Sequence, residues 1–350
     1  MKILLGWELG AGQGHIQRLV ALAQTLTAYG CTPVFALKSY NFKGQSFPWQ
    51  RLLAPRLPFS GRNTSYTFAD ILATFGFNHV NLLSSHLQSW QEILLAVKPA
   101  LVVADHAPGL VLAARGLVPT VVIGSHFAVP PPIEVFPILK FPAPPESLEY
   151  QAQVSDTVRK VVKLDVSLGH ALNGDRSFIF SIPELDCYRA WRKNPQYVGV
   201  HIAPLPTHPP HAPMSTWAYL ANDYSYRDLV LKTLHPNNDF RPLHDVVTNQ
   251  SLAIHHGGLT TTIGCLLAGI PQLLLPRYLE QQLNAVLLTR LGAAQSIISP
   301  TWESLLITQA QLYALAEKAS RLAKDFTHWN QNFTEIILKT CLELGQKSSN

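Results

Sequence analysis

Leu252-Ala253-Ile254-His255-His256-Gly257-Gly258-Leu259-Thr260-Thr261-Thr262 is the stretch on which the reading of this chain turns. A short apolar run of strand character passes into two glycines, and three threonines then open a helix. Glycines let a backbone approach an anion closely, and the free N–H groups of a helix start favour a diphosphate. The Thr260 and Thr261 hydroxyls add donors, and His256 can donate to a phosphate oxygen. Taken alone, the same letters also describe a plain strand–turn–helix with a capping threonine.

The residues that follow remove that ambiguity. The chain continues through Ala268-Gly269-Ile270-Pro271, Leu274-Leu275-Pro276-Arg277, Glu280-Gln281 and Asn284-Ala285. From about Leu243 to Ala293 this resembles the donor-site signature of the GT-B glycosyltransferases, which include plant, antibiotic and sterol enzymes. The family pattern runs His-Gly-Gly-x-Gly-Thr, a Gly-Val-Pro turn, a proline, and an Asp-Gln pair before Asn-Ala. The resemblance implies that His256, Gly257, Gly258, Thr260 and Thr261 meet the diphosphate of a nucleoside-diphosphate sugar, with Glu280 and Gln281 on the sugar hydroxyls. Three positions depart from the pattern: Thr260 replaces the second glycine, Glu280 the aspartate, and Gly264 a glutamate that often holds the ribose. The choice between a UDP and a dTDP donor therefore stays open. Only a short segment separates the strand expected at Trp217–Ala221 from Pro242, so the C-terminal domain is expected to be reduced.

The N-terminal half supports the same reading. Lys2–Trp7 has strand character, a glycine-rich segment ends in Gly14-His15, and Ile16, Leu19, Val20, Ala23 and Leu26 fall at helical spacing before Gly30. Val34–Leu37 returns to strand character, which makes a βαβ opening and a parallel sheet. Helices are expected over Ser85–Val97 and from about Pro108 to Arg115, with a buried strand Ala100–Ala104 ending at Asp105. Gln13-Gly14-His15-Ile16 is similar to the family's Gly-His element, whose histidine is the general base. An imidazole there takes the acceptor hydroxyl proton, and Asp105 is the matching carboxylate to orient it. On their own, His15 also suits a surface position at a helix start and Asp105 a helix cap.

The fold class that follows is α/β, with two Rossmann-like doubly wound domains facing across a cleft (GT-B). Residues 1–203 form the expected acceptor domain, 204–215 a proline-rich linker, and 216–350 the donor domain, whose last helix is a candidate to pack back on the first domain.

Composition excludes several other classes. Of the 350 residues 47% are hydrophobic and 14% charged, as in a globular chain rather than a disordered one. The four cysteines show no paired spacing, no Asp-x-Asp pair occurs, and the 14 histidines form no HExxH, so neither a metal nor a cofactor is expected. No run approaches the roughly 18 apolar residues of a membrane span, and a cytoplasmic location is expected. The net charge of +5 carries no nucleic-acid motif with it, so nucleic acid is not an expected partner. It is uneven, however: between Leu9 and Ala69 there is no acidic residue, while Arg18, Lys38, Lys43, Arg51, Arg56 and Arg62 are basic and Phe42, Phe47, Pro48 and Trp49 lie among them. That stretch makes an anionic membrane surface a candidate peripheral partner. The expected activity is an inverting, metal-independent transfer of a sugar to a hydroxyl of a small-molecule or lipid acceptor. A catalytically silent binding or regulatory subunit of the same architecture, an epimerase and a peripheral membrane protein are the alternatives.

Overall fold

The computed structural model describes residues 1–10, 14–39, 47–57, 65–163, 165–201, 215–238, 243, 245, 246 and 250–347. The chain forms two compact units that do not divide at a single point. One comprises Met1–Phe180, Tyr188–Tyr197 and Phe333–Asn350, the other Ser181–Cys187 and Val198–Asn332. The last helix thus belongs to the first unit, and all but the last residue of the expected linker lies outside the described residues.

The first unit is built on a parallel sheet in the order β3-β2-β1-β4-β5-β6-β7. Its leading strands are β1 (Lys2–Trp7), β2 (Thr32–Leu37) and β3 (Gln50–Leu53), followed by β4 (Leu101–Asp105), β5 (Thr120–Gly124), β6 (Arg176–Ile179) and β7 (Gln196–Tyr197). The central strands read as continuous apolar runs because helices cover both faces: Ile3, Leu4, Leu5 and Leu101 to Val103 are wholly buried. Helix α1 (Gly14–Ala28) buries Ile16, Leu19, Val20, Leu22, Ala23 and Leu26 and ends at Gly30, whose φ of 75° suits a glycine terminator. Helix α2 (Phe68–Thr74) starts with a reciprocal capping box between Thr67 and Asp70. Helix α3 covers Val80–Val97, starting five residues before the expected Ser85, because Leu83 extends its apolar face by another turn. Helix α4 (Pro108–Ala114) opens with proline in its first turn. Residues 125–145 are loop apart from isolated turns, as their proline content demands. The helices α5 (Glu146–Val162) and α6 (Leu168–Ala171) follow.

The second unit carries a parallel sheet in the order β11-β10-β9-β8, comprising β8 (Thr216–Tyr219), β9 (Leu252–His255), β10 (Gln272–Leu274) and β11 (Ala294–Ser296). Its described helices are α7 (Arg227–Leu234), α8 (Leu259–Leu267), α9 (Leu279–Leu291), α10 (Trp302–Leu305) and α11 (Gln309–Phe326). Helix α12 (Phe333–Lys347) returns to the first unit, where Phe333 meets Phe180 edge-on at 4.7 Å and Thr334 accepts a hydrogen bond from Thr25 of α1.

One buried contact ties the leading strand of the first unit to its helices. Glu8, one residue beyond β1, pairs with Nε2 of buried His86 on α3, and its other oxygen accepts the Gly109 N–H of α4 at 2.8 Å. A side chain at position 109 would collide with both partners, at 2.5 Å from His86 and 2.7 Å from Glu8, so glycine is required there. Glu8→Ala leaves a buried imidazole and an amide N–H without acceptors. It should cost roughly 3 kcal/mol or more, measured as a lowered urea midpoint, with Glu8→Gln losing less.

Candidate functional site

In the first unit the strand order reverses between β1 and β4, the point at which doubly wound sheets collect ligands. The two strands lie in register with Trp7 opposite Asp105, so both chains leave the same edge of the sheet side by side. Beyond β1 the chain turns into α1, whose second residue is His15. Its Nδ1 lies 2.7 Å from Oδ1 of Asp105, 90 residues away in sequence. Asp105 has no solvent exposure.

A third side chain joins them. Arg18, one turn along α1 from His15, donates from Nε to Oδ2 of Asp105 at 3.0 Å and from its terminal nitrogen to Oδ1 at 3.0 Å. Its guanidinium lies over the Phe180 ring at 5.1 Å. Burial pushes the Asp105 carboxyl up, but the charges and hydrogen bonds of Arg18 and His15 together outweigh it and hold the group at about 2. A carboxylate only accepts, so Nδ1 of His15 carries a proton, which in the neutral ring leaves the lone pair on Nε2. The ring stacks on the Trp7 indole, centroids 5.4 Å apart and planes 16° from parallel.

The surrounding backbone is shaped by these rings. Gly10 has a φ of 82°, and a Cβ there would sit 2.8 Å from Nε2 of His15 and 3.0 Å from Nδ1 of His106. His106 adopts a φ of 48°, rare for a residue with a side chain, and its carbonyl accepts the Leu9 N–H at 2.9 Å. Burial above all pushes the His106 imidazole down to about 3, so it is neutral. Lys38 donates to the Gly10 carbonyl, and burial followed by the nearby Arg56 charge lowers the basicity of its amine.

The sequence reading brought His15 and Asp105 together but missed Arg18, which it counted in a basic surface stretch. The available signal was its spacing of three residues from His15 on the same helical face. The basic stretch is therefore not a uniform surface array. Arg18 points inward, Lys38 is half-buried on backbone, and Arg56 donates to the Lys38 carbonyl. Lys43, Arg62 and Phe42 lie outside the described residues, as does Gln13.

In the second unit, β9 leads through His255 and His256 into Gly257, whose φ of 82° turns the chain, and Gly258, the N-cap of α8. The two histidines brace this turn. His255 donates from Nε2 to Gln272 at 2.9 Å and accepts the Gly257 N–H at Nδ1 at 3.1 Å. His256 donates from Nδ1 to the Leu275 carbonyl at 2.8 Å and accepts the Ala221 N–H at Nε2 at 2.9 Å. Sequence reasoning made His256 a donor to phosphate; here both of its ring nitrogens are engaged by backbone, and Nε2 is an acceptor. Burial lowers the pKa of both histidines, that of His255 to about 4.

The other expected donor-site residues surround the same turn. Asn284 of α9 donates to the Gly257 carbonyl at 2.8 Å, and buried Gln281 accepts the Arg277 N–H at 2.9 Å. Glu280 is half-buried, Thr260 exposed and Thr261 half-buried at the start of α8. Arg277 forms a two-pronged pair with Asp223 at 2.8 and 2.9 Å, which the sequence did not announce. Gly258 has φ −61° and ψ 130°, which any residue adopts, and a Cβ there would meet nothing within 4 Å. Packing does not require a glycine at this position, and the ground before the α8 N-terminus is open.

The chain has the GT-B fold of two Rossmann-like domains, and its segment from Leu252 to Ala285 resembles the donor-site signature of the nucleotide-sugar glycosyltransferases of that fold. Solved structures of that fold match along almost its entire length. The calicheamicin glycosyltransferase CalG4 matches with a TM-score of 0.67 at 14% identity, over 98% of both chains. The glycosyltransferase of kitacinnamycin matches with a TM-score of 0.66 at 16% identity, again over 98% of both. VinC, solved in complex with dTDP, matches with a TM-score of 0.59 at 14% identity, over 99% of this chain and all of that one. More particularly, residues 232–337 match the family model described as the C-terminal domain of erythromycin biosynthesis protein CIII-like proteins. The elloramycin glycosyltransferase ElmGT of Streptomyces olivaceus is 36% identical over 87 residues, which span 24% of this chain and 23% of that protein.

The two braced histidines give the second unit a pH signature. Each has a folded pKa below its unfolded value of 6.5, so as pH falls the unfolded chain takes protons first. The stability they lend is complete above that value and should drain away as pH drops, for His255 until about 4. The urea midpoint should decline through this window, and His255→Gln should flatten the decline while lowering the neutral-pH midpoint.

Proposed function

We propose that the protein is a glycosyltransferase moving a sugar from a nucleoside-diphosphate sugar, UDP- or dTDP-linked, to a hydroxyl of a small-molecule or lipid acceptor, with inversion and without a metal. The observation that carries this reading is the His15–Asp105 pair: a fully buried, ionised carboxylate holding an imidazole whose other nitrogen is free to take a proton. In the proposed step the acceptor oxygen attacks the anomeric carbon as its proton passes to Nε2 of His15. The bond from that carbon to the diphosphate oxygen breaks, and the electron pair leaves with the diphosphate. Asp105 stabilises the imidazolium that forms.

On the donor side the reading assigns the diphosphate to the open N–H groups at the start of α8, with the Thr260 and Thr261 hydroxyls beside them. His256 would act by fixing the turn rather than by touching phosphate. Glu280 and Gln281 would meet the sugar. Relatives named as glycosyltransferases, one of them solved with dTDP, support keeping a dTDP-linked donor beside a UDP-linked one. The engaged His256 ring and the Asp223–Arg277 pair favour, as second reading, a subunit of this fold that binds without turnover.

Calorimetry against UDP, dTDP, GDP and ADP without added metal tests the donor site. One diphosphate should bind, and Gly258→Val, whose Cβ the open space accommodates, should abolish binding while lowering the urea midpoint by no more than the loss of a good N-cap, about 1 kcal/mol. Failure of all four to bind would overturn the enzyme reading. With a donor in hand, His15→Ala and Asp105→Asn should each lower kcat by about two to four orders of magnitude while leaving diphosphate binding intact. Binding with no turnover in the unaltered protein would select the second reading.

A further inference from the structure

We propose that Arg18 is the charge-balancing positioning residue of the His15–Asp105 pair: it takes up the carboxylate's charge, so that Asp105 orients the imidazole without turning it into an imidazolium. The chemical use of this device rests on the glycosyl-transfer reading, but the device itself does not.

The argument begins with Asp105, an anion with no solvent exposure. A buried carboxylate is costly unless a full positive charge accompanies it. Two side chains are placed to supply that charge, and they differ in kind. Arg18 cannot release its proton in a protein, and it engages both carboxylate oxygens through separate N–H groups at 3.0 Å. His15 can exist neutral or charged. With Arg18 in place the pair of charges is already closed, and a second proton on His15 makes the cluster net positive.

The geometry sharpens this competition. The Arg18 terminal nitrogen lies 3.1 Å from Nδ1 of His15. Because Nδ1 already donates to Asp105, that approach sets donor against donor, which is tolerable beside a neutral ring and repulsive beside an imidazolium. The remaining charged or titratable neighbours act the same way or not at all. His106 is a neutral ring with its centroid 5.8 Å from that of His15. Lys38 is held on the Gly10 carbonyl, with Arg56 behind it. Trp7, stacked on the ring, carries no charge. Asp105 is the anion of the cluster, and the Phe180 ring lies under the Arg18 guanidinium at 5.1 Å.

A base in this setting has to be unprotonated before the acceptor arrives and oriented while it waits. A bare His–Asp pair in a dry site satisfies the second need at the expense of the first, because the carboxylate recruits a proton onto the ring. Arg18 separates the two functions. Its effect is on the protonation of another residue, which gives it a readout that a purely structural arginine would not have.

Histidine-ring nitrogen NMR on the full-length labelled protein reads tautomer and titration midpoint together, with His15→Gln supplying the assignment. Unaltered protein should show His15 with its proton on Nδ1. Arg18→Met should raise the His15 midpoint by about one pH unit or more, and Arg18→Lys, which restores charge without the fork, should bring it back toward the unaltered value. If Arg18→Met does not fold, Arg18→Gln keeps a donor on Asp105 without the charge and should show the same rise. A folded Arg18→Met or Arg18→Gln protein with an unchanged or lowered midpoint would overturn the proposal, as would a lysine variant no different from the methionine one. The spectra answer this whether or not any sugar is transferred, so failure of the enzyme reading and failure of the Arg18 proposal are seen separately. Where turnover is found, the acid limb of kcat/KM should move with the midpoint.

Discussion

A carboxylate shut away from water at the splitting point of a parallel sheet governs the first unit of this protein. Asp105 is the last residue of β4 and faces Trp7 of β1 in register. An ion in that position has to be answered from nearby, and the answer comes from the first turn of α1. That requirement explains why two polar side chains sit three residues apart on a helix whose other inward positions are apolar. It also explains the backbone around the pair. Gly10 has no side chain because the rings of His15 and His106 occupy that space, and His106 takes a left-handed conformation immediately after the strand. The rings, the fork and the strained turn form one unit, in which each element is placed by the need to surround the same charge.

The second unit solves a different problem by different means. Its open helix start is held by two adjacent histidines in opposite tautomers, each neutral, His256 bridging two backbone groups and His255 the Gly257 N–H and the Gln272 side chain. An imidazole is well suited to that work because one ring nitrogen donates while the other accepts. The positive field before α8 then comes from backbone N–H groups and the helix dipole, which need no charged side chain buried with them.

The parts of this structure that sequence disclosed are the ones encoded locally. Strand, glycine turn and helix from Leu252 to Leu267 follow from apolar runs and breakers, and so does the βαβ opening from Lys2 to Leu37. The meeting of His15 with Asp105 is a tertiary fact, and it was legible only because a resemblance supplied both positions. Arg18 was not legible as a site residue, since a lone arginine on an amphipathic helix is ordinarily solvated and only the neighbouring strand turns it inward. The His256 ring fell to a similar limit: its type and position suit phosphate, but the loop after β8 places the Ala221 N–H against Nε2. The sequence marks the last helix only as a candidate to pack back on the first domain, since its apolar face does not by itself say which sheet it will cover. The segment Phe333–Lys347 follows the second unit along the chain and packs in the first, fastened by Phe180 and Thr25.

The departures from the family pattern make physical sense in this setting. Gly264, where a ribose-holding glutamate is common, sits on a buried stretch of α8 beside Ile263 and Cys265, which have no exposure. A carboxylate there would be buried, and an unpaired buried carboxylate costs several kcal/mol. Thr260, in place of the second glycine, is exposed at the start of α8 and adds a hydroxyl where a diphosphate would approach. On the proposed reading, both changes move recognition in the same direction, away from the ribose and toward the phosphates. A donor site of that kind would discriminate charge and geometry at the diphosphate more strongly than the identity of the sugar ring attached to the base.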